Sequence, residues 1–171
     1  MYRFRSAFLL VPALLVMTAT VAFAQTDTFS DPNADYTFTL PDPQWKMTAA
    51  PSATNPNVKY VFNDPINGLL EVRRTAASKD TLLTDIVRDE EQKLGFLPGY
   101  VAGKEESFSG KHRGVAFNYE YVRAGKAMAG RFYFLRTNDT SVYVLRFTGL
   151  KDSMRSIRNQ TDSIARTFVV R

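Results

Sequence analysis

From Tyr36 the chain alternates large apolar and small polar residues, Tyr36-Thr37-Phe38-Thr39-Leu40, until Pro41 and Pro43 interrupt it. A period of two with β-formers predicts a half-buried strand, and prolines that cannot donate to a ladder end it. Residues 48–57, which hold Pro51, Asn55, Pro56 and Asn57, read as loop. Lys59 to Phe62 predicts a short strand and Leu69 to Arg74 the next one. Between them the Asn67-Gly68 pair offers the positive φ that a tight hairpin needs. At Thr81 the period lengthens. Leu82, Leu83, Ile86, Val87 and Leu94 fall at helical spacing, with Asp80 or Thr81 to cap the start and Pro98-Gly99 to stop it, so a helix is expected over 81–97. Four strand-like runs follow: Tyr100 to Phe108, Val115 to Arg123, Met128 to Thr137 and Ser141 to Thr148. A second helix closes the chain from Asp152 to Thr167, with Met154, Ile157, Thr161, Ile164, Ala165 and Phe168 on one face. No repeat or internal boundary appears, so 36–171 reads as one globular domain behind a polar leader, 25–35.

Strand parity yields a register. If Gly125-Lys126 is a two-residue turn, Tyr119 stands opposite Phe132 and Phe117 opposite Phe134, while Glu120 faces Arg131 and Asn118 faces Tyr133 on the other side. A two- or four-residue turn around Asn138-Asp139 would add Tyr143, Leu145 and Phe147 to the aromatic face, and Val142, Val144 and Arg146 to the charged one. The aromatic face must be covered, and the two helices carry the apolar stripes available for it.

The N-terminus sets the expected address. Arg3 and Arg5 precede an apolar run, Ala7 to Val16, and Ala22-Phe23-Ala24 closes the segment. A basic n-region, a short h-region and an A-x-A site form a secretory signal peptide over 1–24, with cleavage expected between Ala24 and Gln25. The apolar run is short for a bilayer span, so no stable membrane span is expected after cleavage. What remains is one domain's length, and the 44% hydrophobic and 13% aromatic content suits a folded core. There is no cysteine. That excludes disulfides, thiolate metal sites, a cysteine nucleophile and a lipidated cysteine, and with export it points to a periplasmic or secreted protein. The formal charge of +5 includes Arg3 and Arg5, and the basic residues are scattered rather than blocked. Such a pattern predicts weak attraction to anionic surfaces and no nucleic-acid partner.

Candidate chemistry is sparse. His112, the one histidine, sits in Gly110-Lys111-His112-Arg113-Gly114, which reads as a solvated turn whose basic neighbours disfavour the protonated ring. No G-x-S-x-G, H-E-x-x-H or glycine-rich phosphate loop is present, and Asp89-Glu90-Glu91 reads as a helix's wet face rather than a metal site. The chain is therefore expected not to be an enzyme, with no cofactor and no metal. The charged residues that parity gathers, Arg73, Glu120, Arg131 and Arg146 with Glu71 beside them, have two readings. One is a cross-strand charge ladder. The other is a binding recess whose guanidiniums grip a carboxylate or phosphate. Trp45 reads as a core or lid aromatic pinning the proline-rich loop.

Several of these segments carry a family resemblance. The opening Tyr36-Thr37-Phe38-Thr39-Leu40-Pro41 followed by Trp45, the helix ending in Leu94-Gly95 and the Ser109-Gly110 turn are part of it. Arg131-Phe132-Tyr133-Phe134, Val142-Tyr143-Val144-Leu145-Arg146-Phe147 and the closing Thr167-Phe168 complete it. Together they resemble the PsbP-like superfamily, the fold of the extrinsic photosystem II subunit and of a Ran-binding import factor. The chain departs in having Gln44 where a glycine commonly precedes the tryptophan, and in lacking the lipoprotein cysteine of many bacterial members. The resemblance implies an α+β fold, an antiparallel sheet sandwiched by helices, and binding or assembly work instead of catalysis. The expected function is an exported, non-enzymatic module acting on a protein partner in the cell envelope or outside it. The alternative is a carrier or sensor of a small anionic or amphipathic ligand; a hydrolase has the weakest support.

Overall fold

The computed structural model describes residues 26–171. The expected signal peptide and its cleavage point lie outside the described residues. Seven antiparallel strands form the central sheet in the order β3-β4-β5-β9-β8-β7-β6: β3 Trp45–Ala49, β4 Val58–Phe62, β5 Asp64–Ala76, β6 Val101–Ser109, β7 Arg113–Arg123, β8 Lys126–Asn138 and β9 Ser141–Leu150. A small sheet, β1-β2-β10, joins Asp27–Phe29 (β1), Tyr36–Leu40 (β2) and Val169–Val170 (β10). Helix α1 (Leu83–Leu94) lies on one face of the large sheet. Helices α2 (Lys151–Ser156) and α3 (Arg158–Thr167), with the small sheet, lie on the other. The fold is the expected α+β sandwich.

Two separate cores hold it. Ile86, Val87 and Leu94 of α1 bury against Phe117, Tyr119, Phe132, Phe134, Val142 and Val144. On the opposite face Met154, Ile157, Ile164, Ala165 and Phe168 pack with Tyr36 and Phe38 onto Tyr133, Leu135, Tyr143, Leu145 and Phe147. Because β9 is covered on both sides, nearly every residue of it is buried, and its sequence reads as an apolar run rather than an alternation.

Several expectations need correction. The polar leader carries a strand that the sequence reading lacked: Asp27–Phe29 pairs with β2, and Phe29 stacks on Phe38 with ring centroids 4.9 Å apart. Residues Trp45–Ala49, partly inside the expected loop, are the edge strand β3. The β4–β5 turn sits at Asn63, whose φ is 61°, not at Asn67-Gly68. Asp64 Oδ1 accepts both the Ile66 and Asn67 amides at 2.9 Å, so 65–68 arches out before pairing resumes at Leu69. Helix α1 is shorter at both ends. Its N-cap is Leu82, with no side-chain cap, because Thr81 Oγ1 instead accepts the Ser78 amide at 3.1 Å. The closing helix is two helices, broken at Ile157.

The register changes in two ways with different consequences. The β7–β8 turn is Ala124-Gly125, both with positive φ (50° and 73°), so Arg123 pairs with Lys126 and Phe117 with Phe132. Glu120 stands opposite Ala129, and Arg131 opposite Asn118. This is a slip of two residues, so every side chain keeps its face. Across β8–β9, Thr137 falls in a bulge: Arg136 pairs with Val142 but Asn138 with Ser141. One extra residue reverses parity. Tyr143, Leu145 and Phe147 therefore share the face of Arg131 and Tyr133, while Val142, Val144 and Arg146 share that of Phe132 and Phe134. Both faces are aromatic, and each takes its own helical cover.

Candidate functional site

The four residues read as a binding recess divide between the two faces. On the α1 face, Arg146 donates from Nε to the Tyr119 hydroxyl at 3.1 Å, lies 3.8 Å from Glu71 and places its guanidinium 5.6 Å from the centre of the Phe132 ring. Arg73 pairs with Glu90 of α1, which also accepts from Lys93 at 2.7 Å. Burial by itself would raise the Glu90 carboxyl, but the hydrogen bonds and charges of Lys93 and Arg73 outweigh it and hold the group below its ordinary value. The first set is a cross-strand ladder between β9 and β5, and the second ties α1 to β5 of the sheet.

On the other face Arg131 is buried (6% exposed) and fully engaged. Its Nε donates to Tyr133 Oη at 2.7 Å, Nη1 to Asn118 Oδ1 at 2.7 Å and Nη2 to Asp162 Oδ1 at 3.1 Å, and both terminal nitrogens reach Glu106 Oε2 at 3.3 Å. The Tyr133 hydroxyl in turn donates a hydrogen bond to Asp162 Oδ1. Burial would lower the guanidinium, yet Tyr133, Asp162 and Glu106 more than compensate and raise it. Burial drives the Tyr133 phenol far up, with Asp162 adding to the shift. Arg131 is thus a fixed cation that locks α3 to the sheet. Glu120, meanwhile, pairs with Lys151 at 2.7 Å instead of with Arg131.

Beside this network a cleft of about 400 Å³ opens between β6–β8 and the α2–α3 pair. Asn118, Glu120, Ala129 and Arg131 line it from the sheet, Val101 to Gly103 from β6, and Lys151, Met154, Arg155 and Arg158 from the helices. Small residues make the room. Gly103 lies where a Cβ would come within 2.5 Å of the Asn118 carbonyl oxygen, at the bulge that interrupts β6–β7 pairing between Ala102 and Glu105. Arg158 reaches Glu106 at 3.6 Å, and among the described residues Arg155 pairs only with its helix neighbour Asp152 at 3.5 Å, both well exposed. Four cations therefore meet one open recess, and Arg155 is the least committed. Such a recess can grip a carboxylate or phosphate.

Of the expected site residues, Glu120 and Arg131 line this cleft; Arg73 and Arg146 do not. Lys151, Arg155 and Arg158 were missed as site residues. Their spacing of four and three puts them on one stripe of the closing helical segment beside its apolar face, a signal legible in the sequence. His112 does not line the cleft. It lies on the β6–β7 turn against Phe168 and accepts the Val170 amide at 3.4 Å, and burial, not its basic neighbours, lowers its pKa. Trp45 is core: its ring packs on Phe62 and Phe147, and its Nε1 donates to Gln160 at 2.8 Å. Among the described residues no cluster of carboxylates and histidine is arranged to hold a metal, no buried side-chain nitrogen or oxygen lacks a partner, and no helix is long and apolar enough to cross a membrane.

No family model matches the chain, and neither does any curated protein sequence. Solved structures do match in fold. The cyanobacterial PsbP (CyanoP) of Synechocystis sp. PCC 6803 superposes with a TM-score of 0.58 at 15% identity, covering 92% of this chain and 99% of that one. The Saccharomyces cerevisiae Ran-binding protein Mog1p gives 0.61 at 12% identity, covering 86% and 96%. LpqN, involved in cell envelope biogenesis of Mycobacterium tuberculosis, gives 0.54 at 18% identity, covering 85% and 90%.

Proposed function

We propose that this chain, which has the PsbP-like fold, is an exported, non-enzymatic binding module that docks an acidic segment of a cell-envelope protein in the cleft between β6 and α2–α3. One observation carries the reading: beside the fixed guanidinium of Arg131, Lys151, Arg155 and Arg158 converge on a single open recess, and their ion pairs are solvent-exposed ones that an incoming carboxylate can displace. The signal-peptide pattern of residues 1–24 supplies the compartment. Two of the similar structures are named for binding Ran and for cell envelope biogenesis, which supports a binding role on this scaffold. The cleft volume also falls within the range of small-molecule sites. A carrier of a small anionic ligand is therefore the second reading.

The test is site-directed photo-crosslinking from Ala102 in envelope-localised full chain, in wild type and in a Lys151→Glu, Arg155→Glu variant. An adduct with one envelope protein that the variant loses, and that Arg73→Ala with Arg146→Ala retains, supports docking at the cleft. An adduct indifferent to the cleft variant refutes it. Native mass spectrometry that shows a small bound anion, lost in the same variant, would replace the first reading with the second.

A further inference from the structure

The chain's exposed apolar groups are not scattered. The β7–β8 hairpin tip, the 65–68 arch and the segment between α1 and β6 meet at one end of the sandwich. The Val122 amide donates to the Pro98 carbonyl at 2.7 Å, and Val122 Cγ2 stands 2.9 Å from where a Gly99 Cβ would lie. On the other side of the tip, Pro65 and Ile66 share an apolar groove of about 270 Å³ with Arg123, Lys126 and Met128. Among the described residues, four of the seven exposed large apolar residues belong to this end: Ile66, Phe96, Val122 and Val101, the last also at the rim of the cleft. Phe96, two residues before Pro98, is 92% exposed and stands beside Asp89, Gln92 and Lys93 at the end of α1.

The tip between them is cationic. Arg123 and Lys126 flank the Ala124-Gly125 turn and are exposed, and among the described residues neither forms an ion pair or side-chain hydrogen bond. The acid nearest along the chain, Glu120, is already taken by Lys151. Exposed apolar side chains gathered beside two unpaired cations at a hairpin tip suit neither a core nor an ordinary solvated loop. They suit the boundary of an anionic bilayer, where apolar groups enter the headgroup zone and cations meet phosphate.

We propose that this end of the molecule, with Phe96, Val122 and Ile66 as wedges and Arg123 and Lys126 as anchors, rests on an anionic lipid surface. The contact is peripheral, and it is independent of whether the cleft takes a partner. Each basic residue near an anionic leaflet contributes about a fivefold gain in partitioning. Neutralising both should therefore weaken binding about twenty-five-fold, and added salt should weaken it as well.

The absence of cysteine lets one label be placed at will. Full chain carrying Ala127→Cys, beside the tip, is labelled with an environment-sensitive fluorophore and titrated with phosphatidylglycerol-containing or pure phosphatidylcholine vesicles. Asp139→Cys, in the turn at the other end of β8, is the control for association through other segments. The expected result is a blue shift at 127 with the anionic vesicles only, none at 139, and a response weakened about twenty-five-fold by Arg123→Gln with Lys126→Gln and also weakened by Phe96→Ala. Unchanged Trp45 emission shows that each variant is folded. Equal shifts at both labels, no shift at 127, or a shift indifferent to lipid charge or to the double variant overturns the proposal. So does capture of a protein by the same tip with no vesicle response.

Discussion

Arg131→Met removes the guanidinium while keeping an unbranched stem in the same space, and the structure says what is then stranded. Asp162 loses its bond at 3.1 Å and Tyr133 its donor at 2.7 Å, both beneath α3, while Asn118 and Glu106 lose theirs at the cleft. Removing one partner of a fully buried ion pair costs about 3–5 kcal/mol. Here Glu106 is 43% exposed and can rehydrate, whereas Asp162 at 27% recovers only part of its hydration. The lower end applies, about 3 kcal/mol. Asp162→Asn alone keeps a hydrogen-bonding side chain beside Tyr133 and should cost about 1 kcal/mol. Combined with Arg131→Met it removes the stranded charge, so the double variant should be more stable than additivity predicts by at least about 1 kcal/mol. Urea unfolding followed through Trp45, the single tryptophan and a core residue, reads all four corners of the cycle. Additive losses, or an Arg131→Met variant within about 0.5 kcal/mol of wild type, would refute the view of Arg131 as the lock between α3 and the sheet.

Three further expectations follow from local geometry. Gly130→Ala would put a Cβ 2.1 Å from Tyr119 Cζ, so it should destabilise by about 2–3 kcal/mol in thermal or urea unfolding, and by clearly less when Tyr119→Leu is also present. Ala124→Asn should stabilise by about 0.5–1 kcal/mol, since alanine at φ 50° is strained and Asn-Gly is the preferred pair for such a turn; a loss of stability would contradict the turn assignment. His112 has a lowered pKa in the folded state, so the unfolded chain takes up the proton first as pH falls. Its contribution is intact above about 6.5 and is lost as pH drops through the folded value. Urea midpoints at mildly acid and neutral pH should therefore differ less in His112→Ala than in wild type.

Much of this protein is local in origin and legible as such. The alternation at Tyr36 to Leu40 gives β2, the apolar spacing from Leu83 to Leu94 gives α1, and the stripe of Met154, Ile157, Thr161 and Ile164 marks the buried side of α2 and α3. The basic stripe of Lys151, Arg155 and Arg158 beside it was equally legible, because helical spacing places side chains on a face without knowledge of the rest of the chain. Strands give no such guarantee. Alternation says which residues within one strand share a side, but the phase between two strands is set by the turn that joins them. At Ala124-Gly125 the slip was two residues and changed only the partners of Glu120 and Arg131. At Thr137 it was one, and it carried Arg146 to the opposite face from Arg131, dissolving the recess that parity had assembled. The small sheet lay further beyond reach, since it joins Asp27–Phe29 and Tyr36–Leu40 to Val169–Val170 at the far end of the chain. Short-range periodicity was enough to fix the layers and their apolar faces. Which cations meet in the cleft was not local information, because it rests on single-residue bulges and long-range pairings whose energies are settled by the packing of both cores together.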